Sequence, residues 1–179
     1  MEKSLKERII ENHIIFITSE LNPQTSSEII FDIMQWSGES EKIEINLYLS
    51  SNTFNFIDAI AIYDVLCNIK NPINVFCIGY VGGFAPLFIA AATKGRRYML
   101  KHSTISFNQP YGSLQSGSNQ QTEIEIEAKE TTKQRTIYEE ILSEKLGMPL
   151  DKVHEYTEKD KEFDAKAAKQ AGLIDQVLE

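Results

Sequence analysis

The chain has 179 residues, 42% of them apolar and 25% charged, with a formal net charge of −8 at pH 7. That is enough sequence for one domain with a proper core, and its acidic balance argues against a nucleic-acid partner; Lys94-Gly95-Arg96-Arg97 is too short a basic run to reverse it. No apolar run reaches the ~20 residues that cross a bilayer, so no membrane partner is expected.

The opening MEKSLKERII lacks the apolar run and small-residue cleavage site of a secretory signal. Leu5 to Ile10 predicts a short helix and Ile14 to Ile17 a first strand. Asn22-Pro23 opens a helix, since proline in the first turn gives up no hydrogen bond. Ile29, Ile30, Ile33 and Met34 are expected on its inner face, with Gly38 stopping it. Ile43 to Leu49 alternates as a second strand. Asn55 then caps a helix to Ile69, with Phe56, Ile60, Tyr63 and Cys67 inward. Cys67 and Cys77, both in apolar segments, read as core residues and not as a disulfide or metal pair.

Ile73 to Ile78 is a buried strand, followed by glycines at 79, 82 and 83 and an apolar helix from Pro86 to Ala92. Hydrolases present a nucleophile at such a strand–turn–helix junction, beside backbone N–H donors. Here the exposed position is glycine. Two short strands follow, Arg97 to Leu100 and Thr104 to Asn108, and the alternation predicts an α/β fold with parallel strands and right-handed crossovers.

Tyr111 to Gln120 is a polar loop, and Gln121 to Leu146 a long helix with Ser118 and Gln121 in capping-box positions. At 1.5 Å per residue it spans roughly 40 Å, more than a domain this size buries. It is either a solvated surface helix or an arm that meets another subunit. The alternation Glu123-Ile124-Glu125-Ile126-Glu127 predicts an irregular start. Short helices are expected at Leu150 to Thr157 and Ala165 to Ala171, the second ended by Gly172, and a last strand at Leu173 to Leu178.

Leu5-Lys6-Glu7-Arg8-Ile9-Ile10, Ala61-Ile62-Tyr63-Asp64, Lys94-Gly95-Arg96-Arg97, Gln109-Pro110, Thr122-Glu123-Ile124-Glu125-Ile126 and Gly172-Leu173-Ile174-Asp175 together resemble the proteolytic subunit of the Clp protease, ClpP. The match covers nearly the whole chain in one order. It implies a single domain over residues 1–179 with a ClpP/crotonase-type superhelix of βαβ units and a helical handle at about 108–146. It also implies a heptameric ring, alone or with active ClpP subunits, fed by an AAA+ Clp chaperone. No cofactor is implied.

The departures bear on function. The resemblance puts the family's nucleophilic serine at Gly83, its base histidine at Asn108 and its acid at Asp160. The glycine pair of the oxyanion loop matches Thr53-Phe54. Glycine has no atom to attack a carbonyl, asparagine is not basic near neutral pH, and a carboxylate with no imidazole to orient has no catalytic task. Losing a nucleophile or base in such a triad costs on the order of 10⁶ in rate. The chain therefore resembles ClpR, the non-catalytic paralogue of cyanobacteria and plastid-type organelles. A cyanobacterial cytoplasm, a chloroplast stroma or an apicoplast is the expected location. Lys159-Asp160 matches the family's ring-linking Arg-Asp pair, and Tyr63 an aromatic residue of its chaperone-loop pocket; each has a plainer reading, as a solvated charge pair and as a core residue.

Two other functions stay open on sequence. A peptidase with rebuilt chemistry would draw on Ser50, Ser51, Ser103 or Ser106 and on His102, none in a Gly-x-Ser-x-Gly setting. A crotonase-like acyl-CoA enzyme would use the paired amides of the turn. His13 and His154 show no metal-ligand spacing, so no metal is expected.

Overall fold

A computed structural model describes residues 4–110 and 121–179. The elements run α1 (Leu5–Glu11), β1 (Ile14–Ile17), α2 (Pro23–Glu39), β2 (Ile45–Leu49), β3 (Asn52–Thr53), α3 (Phe56–Asn68), β4 (Ile73–Cys77), β5 (Tyr80–Gly83) and α4 (Pro86–Ala91). Then follow β6 (Arg97–Leu100), β7 (Thr104–Phe107), α5 (Gln121–Leu146), α6 (Leu150–Glu158), β8 (Lys161–Asp164), α7 (Ala165–Gln170) and β9 (Gln176–Leu178). Ser118 and the loop 111–120 lie outside the described residues.

A parallel sheet in the order β1-β2-β4-β6-β9 forms one layer, and a second sheet, β3-β5-β7-β8, carries the glycine turn. The fold is the mixed α/β one expected, with one exception: β7 and β8 pair antiparallel, Ser106 opposite Glu162. Helix starts follow their caps. Asn22 accepts from the amides of Gln24 and Thr25, and Asn55 from that of Asp58. Side chains Ile45, Leu47, Leu49, Val75, Leu87, Phe88 and Tyr138 are fully buried between the sheets and helices.

Several expected details are corrected. In α2 the buried apolar residues are Ile33 and Trp36; Met34 is 61% exposed, and Gly38 lies inside the helix instead of stopping it. On α3 the buried stripe is Ala59, Ile62, Tyr63 and Leu66, spaced i, i+3, i+4, i+7. Cys67 sits about 100° further round and is exposed, while Ile60 is only half-buried. The last strand is confined to Gln176–Leu178, because Leu173 and Ile174 reach the core from a turn. Glu123 to Glu127 is regular helix. The strands β3, β5 and β8 were not legible as strands; they hold the site.

Phe16, Tyr48, Phe76 and Tyr98 come from four adjacent strands in register and stack along one face of the first sheet. Their ring centroids lie 5.2, 4.6 and 4.9 Å apart. Phe16 is half exposed and the other three are partly buried, so the row forms a solvent-facing aromatic surface.

Candidate functional site

The residues matched to a catalytic triad are brought together, in the order Gly83, Asn108, Asp160. Gly83 ends β5, Asn108 follows β7, and Asp160 precedes β8, which pairs with β7. The Asn108 Oδ1 accepts the Gly83 N–H at 2.9 Å. Its Nδ2 donates to Asp160 Oδ1 at 3.3 Å, and the same carboxylate oxygen accepts the Gln109 N–H at 3.1 Å. The amide orientation is dictated by its neighbours: a backbone N–H demands the oxygen on one side, and a carboxylate demands the NH₂ on the other. Asp160 has φ 46°, a left-handed conformation that aspartate tolerates better than most residues.

Asn108 thus accepts on the side of the expected nucleophile and donates on the side of the acid, as a neutral imidazole would. The polarity of a relay is retained without a base in it.

Gly83 is closed against any side chain. It has φ 59°, and a Cβ built there would stand 2.1 Å from the Thr53 carbonyl oxygen, against about 3.5 Å for van der Waals contact. The closeness follows from pairing, since β3 runs parallel to β5 with Thr53 opposite Gly83. Every residue from Val81 to Ala90 is buried, so the junction is sealed in the single chain.

The backbone donors are also engaged. Gly82 N–H donates to Ser51 O at 2.9 Å, Gly83 N–H to Asn108, and Phe84 N–H to Thr53 O at 2.7 Å. On the loop matched to the oxyanion loop, Phe54 and Asn55 N–H donate to Glu20 Oε1 at 2.8 and 3.1 Å. The Thr53 hydroxyl donates to the same oxygen at 3.2 Å. Neither Thr53 nor Phe54 has a positive φ; Thr53 is an ordinary, fully buried strand residue. An oxyanion hole needs donors aimed at an empty position, and these are aimed at the chain's own acceptors.

Nothing in the sequence marked Glu20, Tyr138 or the short strand β3. Tyr138, fully buried on α5, donates from its hydroxyl to Gly83 O at 3.2 Å, tying the long helix to the turn; burial drives its phenol well above the usual range. Tyr138 lies 55 residues from Gly83, and Glu20 lies 33 to 35 residues from its partners Thr53, Phe54 and Asn55, beyond any local motif.

Among the described residues, no histidine side chain is hydrogen-bonded to Ser50, Ser51, Ser103 or Ser106. Ser51 Oγ donates to Ser19 O, and Ser103 Oγ donates to Cys77 O while accepting from Gly79 N–H. Ser106 is fully buried, and its Oγ has no hydrogen-bond partner among the described residues. His13 packs edge-on against Trp36, and His102 is exposed in a turn. The polar side-chain partners of a histidine among the described residues are Arg135 and Glu139, both at His154. Lys159 Nζ is held by Glu155 at 3.0 Å. Tyr63 is 5% exposed and sits in the core, where burial and the neighbouring Cys67 raise its phenol pKa.

Compared with models of known families, the chain matches the one described as Clp protease over residues 2–179, almost its full length. That span takes in the turn, the long helix and the strands around Asn108 together, and the chain is therefore a member of the Clp protease family.

Proposed function

We propose that this chain is a non-catalytic, ClpR-type subunit of a Clp protease. ClpP is a serine protease family whose members generally form rings with Clp ATPases. In this reading the chain occupies places in a heptameric ring shared with active subunits, reducing the number of cutting sites. A plastid-type organelle or a cyanobacterial cytoplasm is the matching location. Lys159 and Asp160 remain candidates for a contact between rings, and residues 121–146 for the handle.

One observation carries the proposal. At the turn where the family's nucleophile is expected, the backbone has closed on its own carbonyl, with 2.1 Å left for a Cβ. A site missing only its serine side chain would be repaired by restoring it; this one lacks the room.

The test uses the purified chain with a serine-reactive fluorophosphonate and a short fluorogenic peptide. Neither labelling nor turnover is expected from the wild type, nor from the double variant Gly83→Ser/Asn108→His. Labelling of any serine in the wild type, with matching turnover, would establish the rebuilt-peptidase alternative. Native mass spectrometry of the complex from its source addresses the assembly, where recovery in one ring with active subunits is expected.

A further inference from the structure

The described residues include a groove of about 650 Å³ between the β6–β7 turn and α7, lined by Lys101, Lys166 and Lys169 together with His102, Asp164 and Val177. None of the three ammonium groups has an ion pair or hydrogen bond among the described residues, whereas Lys70, Lys152 and Lys159 each hold a carboxylate. Asp164, the carboxylate in the lining, directs Oδ1 to the Ala167 N–H and caps α7. Three lysines against one aspartate leave a local surplus of two positive charges, in a chain whose net charge is −8.

An acidic chain has carboxylates in excess, so three lysines gathered in one groove beside a single carboxylate depart from its own charge pattern. Their mutual repulsion is relieved by an external anion, and low-dielectric walls focus that attraction. A long polyanion such as nucleic acid is repelled by the rest of the surface, while a short acidic segment meets only the groove. Val177, half-buried, gives the lining apolar ground for one side chain of that segment. We propose that this groove docks an acidic peptide segment, an extended stretch with two or more carboxylates flanking an apolar residue.

The groove is separate from the triad-like chain. Thr104 opens β7 and Asn108 follows its end, which at ~3.3 Å per residue places the two on the order of 13 Å apart. Docking here leaves Gly83, Asn108 and Asp160 untouched, so its failure would not bear on the non-catalytic reading.

The experiment is fluorescence anisotropy on the whole chain with a labelled hexapeptide of glutamate and leucine, and the same peptide with glutamine for glutamate as control. The acidic peptide is expected to bind at least about tenfold more tightly than the control, and to weaken as salt rises towards about 0.5 M. Lys166→Glu combined with Lys169→Glu is expected to weaken it about tenfold or more, because like charges then face each other. Both positions are exposed and without internal partners, so an unchanged melting curve is expected for the variant. Equal binding of the two peptides, or full binding by the double variant, overturns the proposal. So does an oligothymidine that binds more tightly than the acidic peptide and displaces it.

Discussion

Gly83 has its missing Cβ aimed at the Thr53 carbonyl, while its N–H and C=O are held by Asn108 and Tyr138. Gly83→Ser must therefore open the β3–β5 pair or rotate the turn, and either change breaks the Phe84 N–H bond to Thr53. A loss of about 3 kcal/mol or more is expected in chemical denaturation, with no labelling by fluorophosphonate. Asn108→Ala acts differently. It leaves the buried Gly83 N–H without an acceptor, which costs about 1–3 kcal/mol, whereas Asn108→His keeps an acceptor facing Gly83 and a donor facing Asp160. The expected order of stability is wild type, then the histidine variant, then the alanine variant. If the alanine variant were as stable as wild type, the hydrogen-bonded chain would not be what holds the turn. The two cysteines give a second check at this scale. Burial pushes the Cys77 thiol up to about 12 and removes it from solvent, while Cys67 is exposed on α3. A maleimide is expected to modify Cys67 in the native chain within minutes and Cys77 only after denaturant is added.

Among elements, the C-terminal segment is fastened by one arginine. Arg97, at the start of β6, donates from Nε and Nη2 to the two oxygens of Asp175 at 2.9 and 2.6 Å, and from Nη1 to Gly172 O at 2.8 Å. Those bonds explain why the Lys-Gly-Arg-Arg and Gly-Leu-Ile-Asp motifs, nearly 80 residues apart in sequence, belong together. The planar fork matches a carboxylate bidentately, which lysine does not. The hydrogen bonds from Arg97 hold the Asp175 carboxyl below its ordinary value. A carboxylate with a depressed folded pKa stabilises the fold above its unfolded pKa of about 4, and that stability is lost as pH falls through the lower folded value. Asp175→Asn is expected to cost about 2 kcal/mol at pH 7. The gap between variant and wild type should stay constant from pH 5 to neutrality and narrow below about pH 4. A gap that closed between pH 6 and 7 would assign the titration to another group.

Across the molecule, what was legible in the sequence was whatever depends on near neighbours. The caps Asn22 and Asn55 fixed helix starts, the alternation of Ile43 to Leu49 marked a strand that runs from Ile45 to Leu49, and Gly172 at φ 78° ended α7. The positions of Gly83, Asn108 and Asp160 were found through family likeness, and the fold then drew them into contact. Illegible were the pairs made by distant segments, such as the two-residue β3 on β5, Glu20 on the Thr53–Asn55 loop and Tyr138 on Gly83. No periodicity announces a strand of two residues, and a carboxylate that reaches backbone amides more than thirty positions on has no local signature. The long helix divides in the same way. Its charges marked it as solvated, but they did not tell that Tyr138, Glu139 and Leu142 are buried while residues 122–136 are all exposed or partly so.

That division of α5 yields a prediction for the free chain. Backbone hydrogen bonds within an isolated, solvent-covered stretch of helix open locally at little cost, while those locked by buried side chains open only with larger units. Amides of residues 125–136 are expected to exchange with deuterium at least about tenfold faster than those of residues 139–146, as read by mass spectrometry of peptides from each half. If the first half is an arm that meets another subunit, assembly into a ring should slow its exchange toward that of the second half and leave the second half unchanged. Equal exchange of the first half in free and assembled chains would assign it to solvent in both, and the arm reading would then be lost.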